Sequence, residues 1–390
     1  MYNFKCNKKF KNDLNIPDIS YRYSSIVGSD KKNIIFIKDH FDNTTFRYRA
    51  YNIIQSMKNN SKYNFSCFRV DETHILYDIL DKIDLVILQR ATWTFELDSF
   101  VHVLKDNNIK IIFDVDDLIY HSKYAPKYLN SIGDYMDSEI DKFFAYTRRY
   151  EMIAEKCDGY IVTTKDLCKN IKDDFNKPVW VFHNYLNLEQ EKVSKDVIEL
   201  KKKSFSDEKF IIGYFSGSFS HKRDLEIVES AIVRLMEEYD DIYLKIVGYM
   251  NLPPKLKKLK NQKRIFFSNY VSYEELEYEI GKVDLNIIPL QKHEFNECKS
   301  ELKYFEASIV NTISCATDNN VYGNVINDGI DGFLADEISW FDKIEYIYLN
   351  YNKLDNIVNN ARNKCLKEYG SKEQRKGIEE MYDDIFETLM

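Results

Sequence analysis

Short apolar runs alternate with amphipathic stretches of helical length from about residue 33 onward. In the first half the predicted strands are Asn33–Lys38, Asn64–Val70, Asp84–Gln89, Lys110–Val115, Gly159–Thr163 and Val179–Phe182. In the second half they are Phe210–Phe215, Ile242–Val247, Arg264–Phe267, Asp284–Pro289 and Thr312–Ala316. Apolar strands separated by helices are typical of parallel sheets that are covered on both faces. We therefore predict an α/β fold with two doubly wound domains.

The segment between Leu186 and Asp207 is polar and charged and has no strand pattern. It is the predicted linker, with a first domain of residues 1–195 and a second domain of residues 196–371. We expect the last helix, about residues 372–390, to pack back on the first domain. Ligands of doubly wound sheets bind beyond the carboxyl ends of the strands, so the cleft between the domains is the predicted active site.

Composition and charge exclude several classes of protein. The chain is 44% hydrophobic with a formal net charge of −8, which indicates a globular protein and argues against a dedicated duplex-DNA binder. Its seven cysteines are scattered singly, which argues against a disulfide framework or a zinc ribbon. No metal-ligating histidine spacing occurs, so we expect no metal site. Without a signal-peptide pattern or an apolar run of membrane-span length, we expect a cytoplasmic protein.

Glycine is scarce, with 12 among 390 residues, and seven of them lie between residues 206 and 335. Backbone that approaches a ligand closely often uses glycine, so phosphate contacts are expected in the second half. There the first strand leads into Gly217-Ser218-Phe-Ser-His-Lys222-Arg223, ahead of a helix. Turn amides, a helix start and two cations suit an anion. The alternative is an ordinary turn with a solvated Lys–Arg pair.

A second segment of interest runs from Glu297 to Glu306. Ser300 is the predicted N-cap of a helix on which Ser300, Lys303 and Glu306 fall within a sector of about 120°. This face suits a nucleoside diphosphate, because lysine can meet the phosphates while glutamate accepts the ribose hydroxyls. The alternative is a surface helix stabilised by Lys–Glu pairs.

Five segments together resemble the nucleotide-sugar domain of GT-B glycosyltransferases of family 4, over roughly residues 206 to 370. They are Ser218-x-x-His-Lys-Arg223, Ile246-Val-Gly248, Asp284-x-x-x-x-Pro289-Leu290, Lys299-Ser-x-x-Lys303-x-x-Glu306 and Asn327-Asp-Gly-x-x-Gly332-Phe-Leu334. The glycines of the last segment mark a tight turn before a short strand. In the first half, Thr44-x-x-Arg47-x-Arg49 and Asp114-Val-Asp-Asp-Leu118 resemble bacterial surface-polysaccharide members of the same group.

The resemblance implies a GT-B fold, in which two Rossmann-like domains face each other across a cleft. It implies a retaining, metal-independent hexosyltransferase that moves a sugar from a nucleotide-diphosphate sugar to a saccharide or lipid-linked acceptor in bacterial surface-glycan synthesis. Glu306 would hold the ribose, Lys222 or Arg223 with Lys303 would neutralise the diphosphate, and Ser300 with the Leu302 amide would cap it. The expected donor-binding residues are Gly217, Ser218, Lys222, Arg223, Val271, Glu297, Lys299, Ser300, Leu302, Lys303 and Glu306.

The family often has two glutamates separated by seven residues. Glu306 stands at the place of the second, but Cys298 stands at the place of the first. Glu297 is then the remaining candidate for binding the donor sugar's hydroxyls. Fixed cations near the leaving β-phosphate stabilise its developing charge without a protein nucleophile. The expected catalytic residues are Arg223, Lys303, Asp116 and Asp117. Double displacement would need Asp116 or Asp117 at the anomeric carbon. The resemblance favours front-face attack instead. Two acids at the carboxyl end of a strand would then bind the acceptor or orient a base, and the alternative is that they cap a helix.

The expected acceptor-side residues are Arg47, Arg49 and His121. The Lys-rich stretch from Lys255 to Arg264 is either a solvated helix face or a peripheral contact with anionic lipid. Two other functions stay open: a nucleotide-sugar epimerase on the same fold, and a degenerate subunit that binds a nucleotide sugar or a partner transferase. The sequence indicates no nucleic-acid partner.

Overall fold

The computed structural model describes residues 4, 14–42, 44–133, 135–203, 209–217, 223–248, 252–260 and 263–389. Two parallel six-stranded sheets form its core. The first contains β1 (Lys32–Lys38), β2 (Tyr63–Arg69), β3 (Leu85–Gln89), β4 (Lys110–Val115), β5 (Gly159–Val162) and β6 (Val179–Val181), in the order β2-β1-β3-β4-β5-β6. The second contains β7 (Phe210–Ser216), β8 (Ile242–Gly248), β9 (Ile265–Ser268), β10 (Leu285–Ile288), β11 (Ile313–Thr317) and β12 (Phe333–Ala335), in the order β12-β11-β10-β7-β8-β9.

Helices cover both sheets. In the first half they are α1 (Ile19–Val27), α2 (Asn52–Ser56), α3 (Phe95–Asp106), α4 (Ala125–Ile132), α5 (Asp137–Ala154) and α6 (Lys165–Phe175), with a π-helix at Arg47–Tyr51 and 3₁₀ turns at Val70–Lys82 and Ser122–Tyr124. In the second half they are α7 (Leu188–Lys203), α8 (Asp224–Glu238), α9 (Pro254–Lys260), α10 (Tyr273–Gly281), α11 (Glu294–Glu297), α12 (Leu302–Ile309), α13 (Asn320–Gly323), α14 (Trp340–Asn350), α15 (Asp355–Tyr369) and α16 (Ser371–Leu389), with a 3₁₀ turn at Tyr351–Lys353.

The predicted strands all occur, each within two residues of its predicted ends. The strands could be predicted because they are buried: every residue of β3 and β7, for example, is buried. Strands that are covered on both faces need continuous apolar runs rather than alternation. The predicted α/β fold is therefore confirmed.

The predicted linker is a helix. Helix α7 occupies most of the polar segment, and the predicted domain boundary after residue 195 falls inside it. Its buried Val193 and Val197 pack toward α10, where a Cβ added to Gly281 would lie 2.3 Å from Val197. Valines four residues apart form a short helical stripe that the surrounding charged residues hide in the sequence.

Helix α16 packs against the first sheet. The rings of Tyr63 and Phe386 stack with centroids 5.7 Å apart, and the Tyr63 hydroxyl donates to Asp383. The chain thus returns to its first half at its end, and the last helix links the two halves. None of the described helices has the length and apolar character that crossing a membrane requires.

Candidate active site

A cavity of about 230 Å³ lies between the two sheets, at the carboxyl ends of β7 and β8. From the first half it is lined by Thr44, Thr45, Arg47, Tyr48 and Asp116. From the second half it is lined by Phe215, Ser216, Gly217, Val247, Gly248, Tyr270, Val271, Tyr273, Leu276, Leu302, Lys303 and Glu306. Both sheets therefore contribute to one cleft, at the place where doubly wound folds bind ligands.

Gly248 shapes the floor of this cleft. Its φ of +108° is rarely adopted by other residues, and a Cβ there would lie 1.9 Å from the carbonyl oxygen of Ser216. By contrast, a Cβ at Gly217 would meet no described atom within 4 Å. Close approach of backbone is therefore required at Gly248 rather than at Gly217. Ser218 and Lys222, both predicted to bind the donor, lie outside the described residues.

Helix α12 places Lys303 and Glu306 on the cleft, one turn apart. It begins at Leu302, and no side chain caps it. The prediction of Ser300 as its N-cap was wrong, because the Ser300 hydroxyl instead accepts a hydrogen bond of 3.0 Å from the Asn184 amide in the first half of the chain. Leu302 lines the cleft beside Lys303.

The Lys303 ammonium is a buried cation whose Nζ has no hydrogen-bond partner among the described residues. It lies 5.3 Å from the centroid of the Tyr214 ring. Burial lowers the pKa of Lys303 to about 8, and the nearby carboxylate of Asp224 opposes this shift only in part. A buried ammonium without a partner is costly unless an anion joins it. The cleft is thus suited to an anionic ligand at Lys303.

Glu306 faces the first half of the chain. The Tyr48 hydroxyl donates to Glu306 Oε1 over 2.6 Å, and Arg47 Nη2 lies 4.0 Å from the same oxygen. The Arg47 guanidinium lies 3.9 Å from the centroid of the Tyr48 ring and 4.4 Å from that of Tyr273. Burial raises the pKa of Glu306, while Arg47 and the Tyr48 hydrogen bond act in the opposite direction.

Asp116 lines the cleft directly after β4. Its Oδ1 accepts from Arg90 Nη1 over 3.0 Å, and Arg90 has a φ of +43° immediately after β3. Asp117 does not line the cleft, and its Oδ2 lies 3.8 Å from Lys299 Nζ. Of the two predicted acids, only Asp116 reaches the cavity, and it does so as an ion-paired carboxylate.

The three predicted acceptor-side residues are separated in the structure. Arg47 lines the cleft, but the side chain of Arg49 is only 1% exposed and is paired with Asp114, 2.8 Å away. A π-helix holds both arginines and turns their side chains in different directions. His121 lies 3.4 Å from a Glu151 carboxylate oxygen and accepts from the Lys123 amide. Of the three, Arg47 lines the cavity, and Arg49 and His121 do not.

Four predicted donor residues do not line the cavity. Glu297 accepts from the Asn320 amide, and Arg223 pairs with Glu226 at 3.6 Å while its side chain lies against Gly133. The remaining two, Lys299 and Ser300, are held by the contacts given above. Gly217, Val271, Leu302, Lys303 and Glu306 are the predicted donor residues that line the cavity.

Cys298 faces the first half of the chain and not the cleft. Its thiol accepts from the Asn170 amide over 3.3 Å, and its carbonyl accepts from the Thr164 hydroxyl over 3.2 Å. Burial raises the pKa of Cys298 to about 12. The thiol is therefore a packing group at the contact between the two halves.

Sequence reasoning missed the aromatic wall of the cleft and a buried acid behind it. Tyr48 and Tyr273 flank Arg47. Only Tyr48 lies within a motif named from the sequence, where it stands between Arg47 and Arg49. Glu277 on α10 is 1% exposed, and neither of its carboxylate oxygens has a hydrogen-bond partner among the described residues. Burial, with the nearby Glu306 charge, raises its pKa well above the ordinary value.

Comparisons with known proteins agree on the fold. Residues 196–364 match the family model of glycosyl transferases group 1, whereas no curated protein sequence matches the chain. A glycosyltransferase from Rickettsia africae is 15% identical with a TM-score of 0.64, over 92% of this chain and 99% of that one. Sucrose-phosphate synthase from Thermosynechococcus elongatus is 12% identical with a TM-score of 0.63, over 92% and 100%. HepE of Anabaena, in complex with UDP and glucose, is 12% identical with a TM-score of 0.61, over 90% and 99%.

Proposed function

We propose that this chain, a GT-B glycosyltransferase whose residues 196–364 belong to the glycosyl transferases group 1 family, transfers a sugar with retention from a nucleoside-diphosphate sugar to a saccharide or lipid-linked saccharide. The observation that carries the proposal is the pair of Lys303 and Glu306. A buried ammonium with no hydrogen-bond partner among the described residues and a carboxylate lie one helical turn apart on the same cleft. These are the charges that a diphosphate and a ribose need.

In this proposal the donor lies along α12. Lys303 meets the diphosphate, Glu306 accepts from the ribose, and the apolar surface of Val271 and Leu276 receives the base. HepE of Anabaena was crystallised with UDP and with UDP-glucose, which makes UDP-glucose the first donor to test. No described atom lies within 4 Å of a Cβ added at Gly217, so the described part of the chain leaves room for the phosphates beside β7.

The proposed reaction breaks the bond between the anomeric carbon and the β-phosphate oxygen. The acceptor hydroxyl forms the new bond on the same face of the sugar, and its proton passes to the departing phosphate. The Lys303 ammonium stabilises the developing negative charge on the diphosphate. Because Asp116 is ion-paired with Arg90, we assign it to orientation of the acceptor and not to covalent attack.

Metal independence, a role in bacterial surface-glycan synthesis and a cytoplasmic location belong to the same proposal. The Lys-rich stretch could bring the enzyme to a lipid-linked acceptor at a membrane surface. Lys257, Lys258 and Lys263 are exposed, whereas the guanidinium of Arg264 turns inward and donates to the carbonyl of Tyr239. Asn261 and Gln262 of this stretch lie outside the described residues.

Release of nucleoside diphosphate from a panel of UDP-, GDP- and dTDP-sugars tests the proposal. We expect release from one donor in the wild type, and its loss in Glu306→Ala and Lys303→Ala. Lys376→Ala, which changes an exposed lysine on α16 that does not line the cavity, is the control. A new nucleotide sugar without released diphosphate would instead identify an epimerase. Binding without turnover, with saccharide and lipid extracts present, would identify the degenerate subunit.

A further inference from the structure

Tyr48 brings the first half of the chain into the donor side of the cleft. Its hydroxyl and the Glu306 carboxylate, 258 residues apart in sequence, are joined by a hydrogen bond of 2.6 Å. Arg47 Nη2 approaches the same oxygen, at 4.0 Å. No described residue donates a hydrogen bond to Oε2. Among the described residues, one carboxylate oxygen is therefore held by the first half, and the other stays available to a ligand.

The position of the Tyr48 hydroxyl is fixed by its surroundings. Its ring packs edge-on against Phe305 with centroids 6.1 Å apart, and the Arg47 guanidinium lies over it. The Gln190 side-chain amide donates to the Tyr48 oxygen over 3.5 Å. Because the Tyr48 hydroxyl oxygen accepts this hydrogen bond, its own hydrogen is directed to Glu306. The residue also lies within the π-helix Arg47–Tyr51, a feature that is frequent at functional sites.

We infer that Tyr48 is a positioning residue for the nucleotide donor. By holding Oε1 it fixes the Glu306 carboxylate so that Oε2 accepts from a ribose hydroxyl. Recognition of the ribose then depends on both halves of the chain, and a cleft that opens between them loses it. This inference rests on the proposed function, because it assumes that a nucleoside diphosphate binds at Glu306.

The opposite reading is that Tyr48 occupies the place of a ribose hydroxyl and must leave before a donor binds. The two readings differ in sign. Removing the hydroxyl weakens ribonucleotide binding if Tyr48 positions the carboxylate, and strengthens it if Tyr48 competes.

Calorimetric titration with UDP and with 2′,3′-dideoxy-UDP separates these outcomes in the wild type and in Tyr48→Phe. If UDP does not bind, GDP and its dideoxy analogue replace them. We expect Tyr48→Phe to raise the Kd for the ribonucleotide about 5- to 20-fold and that for the dideoxy analogue less than twofold. In a Glu306→Gln background, Tyr48→Phe should have little further effect on ribonucleotide binding.

Tyr51→Phe is the matched control, because it removes another tyrosine hydroxyl from the same π-helix. The Tyr51 hydroxyl donates to Glu189 over 3.2 Å, and neither residue lines the cavity. It should leave both affinities unchanged. Tighter ribonucleotide binding by Tyr48→Phe, no change, or an equal loss for both nucleotides would overturn the inference alone. A wild type that binds neither ribonucleotide overturns this inference, and one that binds none of UDP, GDP and dTDP overturns the proposed function with it.

Discussion

Arg49 and Asp114 form a buried ion pair at the carboxyl end of the first sheet, with Nη2 and Oδ2 2.8 Å apart. Arg49 Nη1 also donates to the carbonyl of Phe182 and to the side chain of Asn184, which in turn donates to Ser300 in the second half. The pair therefore links β4 to the chain segment after β6 and, through it, to the turn that precedes α12.

Replacing Arg49 with methionine should destabilise the protein by about 3–5 kcal/mol, because the Asp114 carboxylate would stay buried without its partner. Urea unfolding measures this change. The control is Lys376→Met, which breaks an ion pair exposed at the surface of α16 and should cost less than about 1 kcal/mol. Equal effects of the two substitutions would contradict a structural role for Arg49.

Nucleotide affinity should fall as the pH rises above 8. The pKa of Lys303 is lowered to about 8 by burial, so the free protein loses this ammonium at higher pH and a bound diphosphate must recover the proton. We expect the Kd for the diphosphate to rise up to about tenfold per pH unit between pH 8 and 10. Titration from pH 6.5 to 10 tests this. Lys303→Met should bind weakly with a much flatter profile, and a wild type without pH dependence would refute the assignment.

Lys303 should also cost stability at neutral pH. Its pKa in the folded protein, about 8, lies below that of a lysine in the unfolded chain, so the unfolded state holds its proton more tightly. Between about pH 8 and 10, where the folded state has lost the Lys303 proton and the unfolded chain still holds it, the wild-type free energy of unfolding therefore rises. Lys303→Met should raise Tm at pH 7 by about 2–5 °C, with a smaller difference at pH 10. Lys257→Met, at an exposed position, should leave Tm unchanged at both pH values.

The sequence predicts the sheets well and the cleft only in part. Fully buried strands such as β3 require continuous apolar runs, and such runs are visible without any knowledge of contacts. The separation of Arg47 from Arg49 depends on a local π-helix that no residue pattern in the segment indicates. The bond between Tyr48 and Glu306 joins residues 258 positions apart, and one sequence carries no information on which side chains of two domains meet.

Glu277→Gln should stabilise the protein at pH 7 to 8. Burial raises the pKa of Glu277, so the folded state keeps a proton that the unfolded chain releases above about pH 4.5, and wild-type stability falls as the pH rises through that range. The advantage of the glutamine variant should shrink at pH 4 to 5. Urea unfolding at both pH values measures it. Glu237→Gln, on the exposed face of α8, should show no such difference.

The proposed membrane contact through the Lys-rich stretch should be electrostatic. Lys257→Ala with Lys258→Ala removes two exposed charges from α9 and should reduce binding to vesicles with anionic lipid, while Leu256 and Leu259 keep the helix packed. Wild-type binding should disappear at about 0.5 M salt. Co-sedimentation measures both effects. Binding that persists in high salt, or in the double variant, would overturn the electrostatic contact.

Cys298→Glu should not restore a family glutamate to the site. The cysteine is fully buried and its thiol contacts Asn170, so a glutamate there would place a carboxylate among apolar side chains that include Phe295. Loss of stability by several kcal/mol is expected, with a strongly lowered Tm and no gain in sugar transfer. Cys298→Ser keeps the size of the side chain and buries a neutral hydroxyl instead of a carboxylate, so it should lower Tm far less than Cys298→Glu does. A Cys298→Glu variant with wild-type Tm and faster transfer would mean that residue 298 reaches the donor sugar. The contact between Cys298 and Asn170 would then have to break when the donor binds.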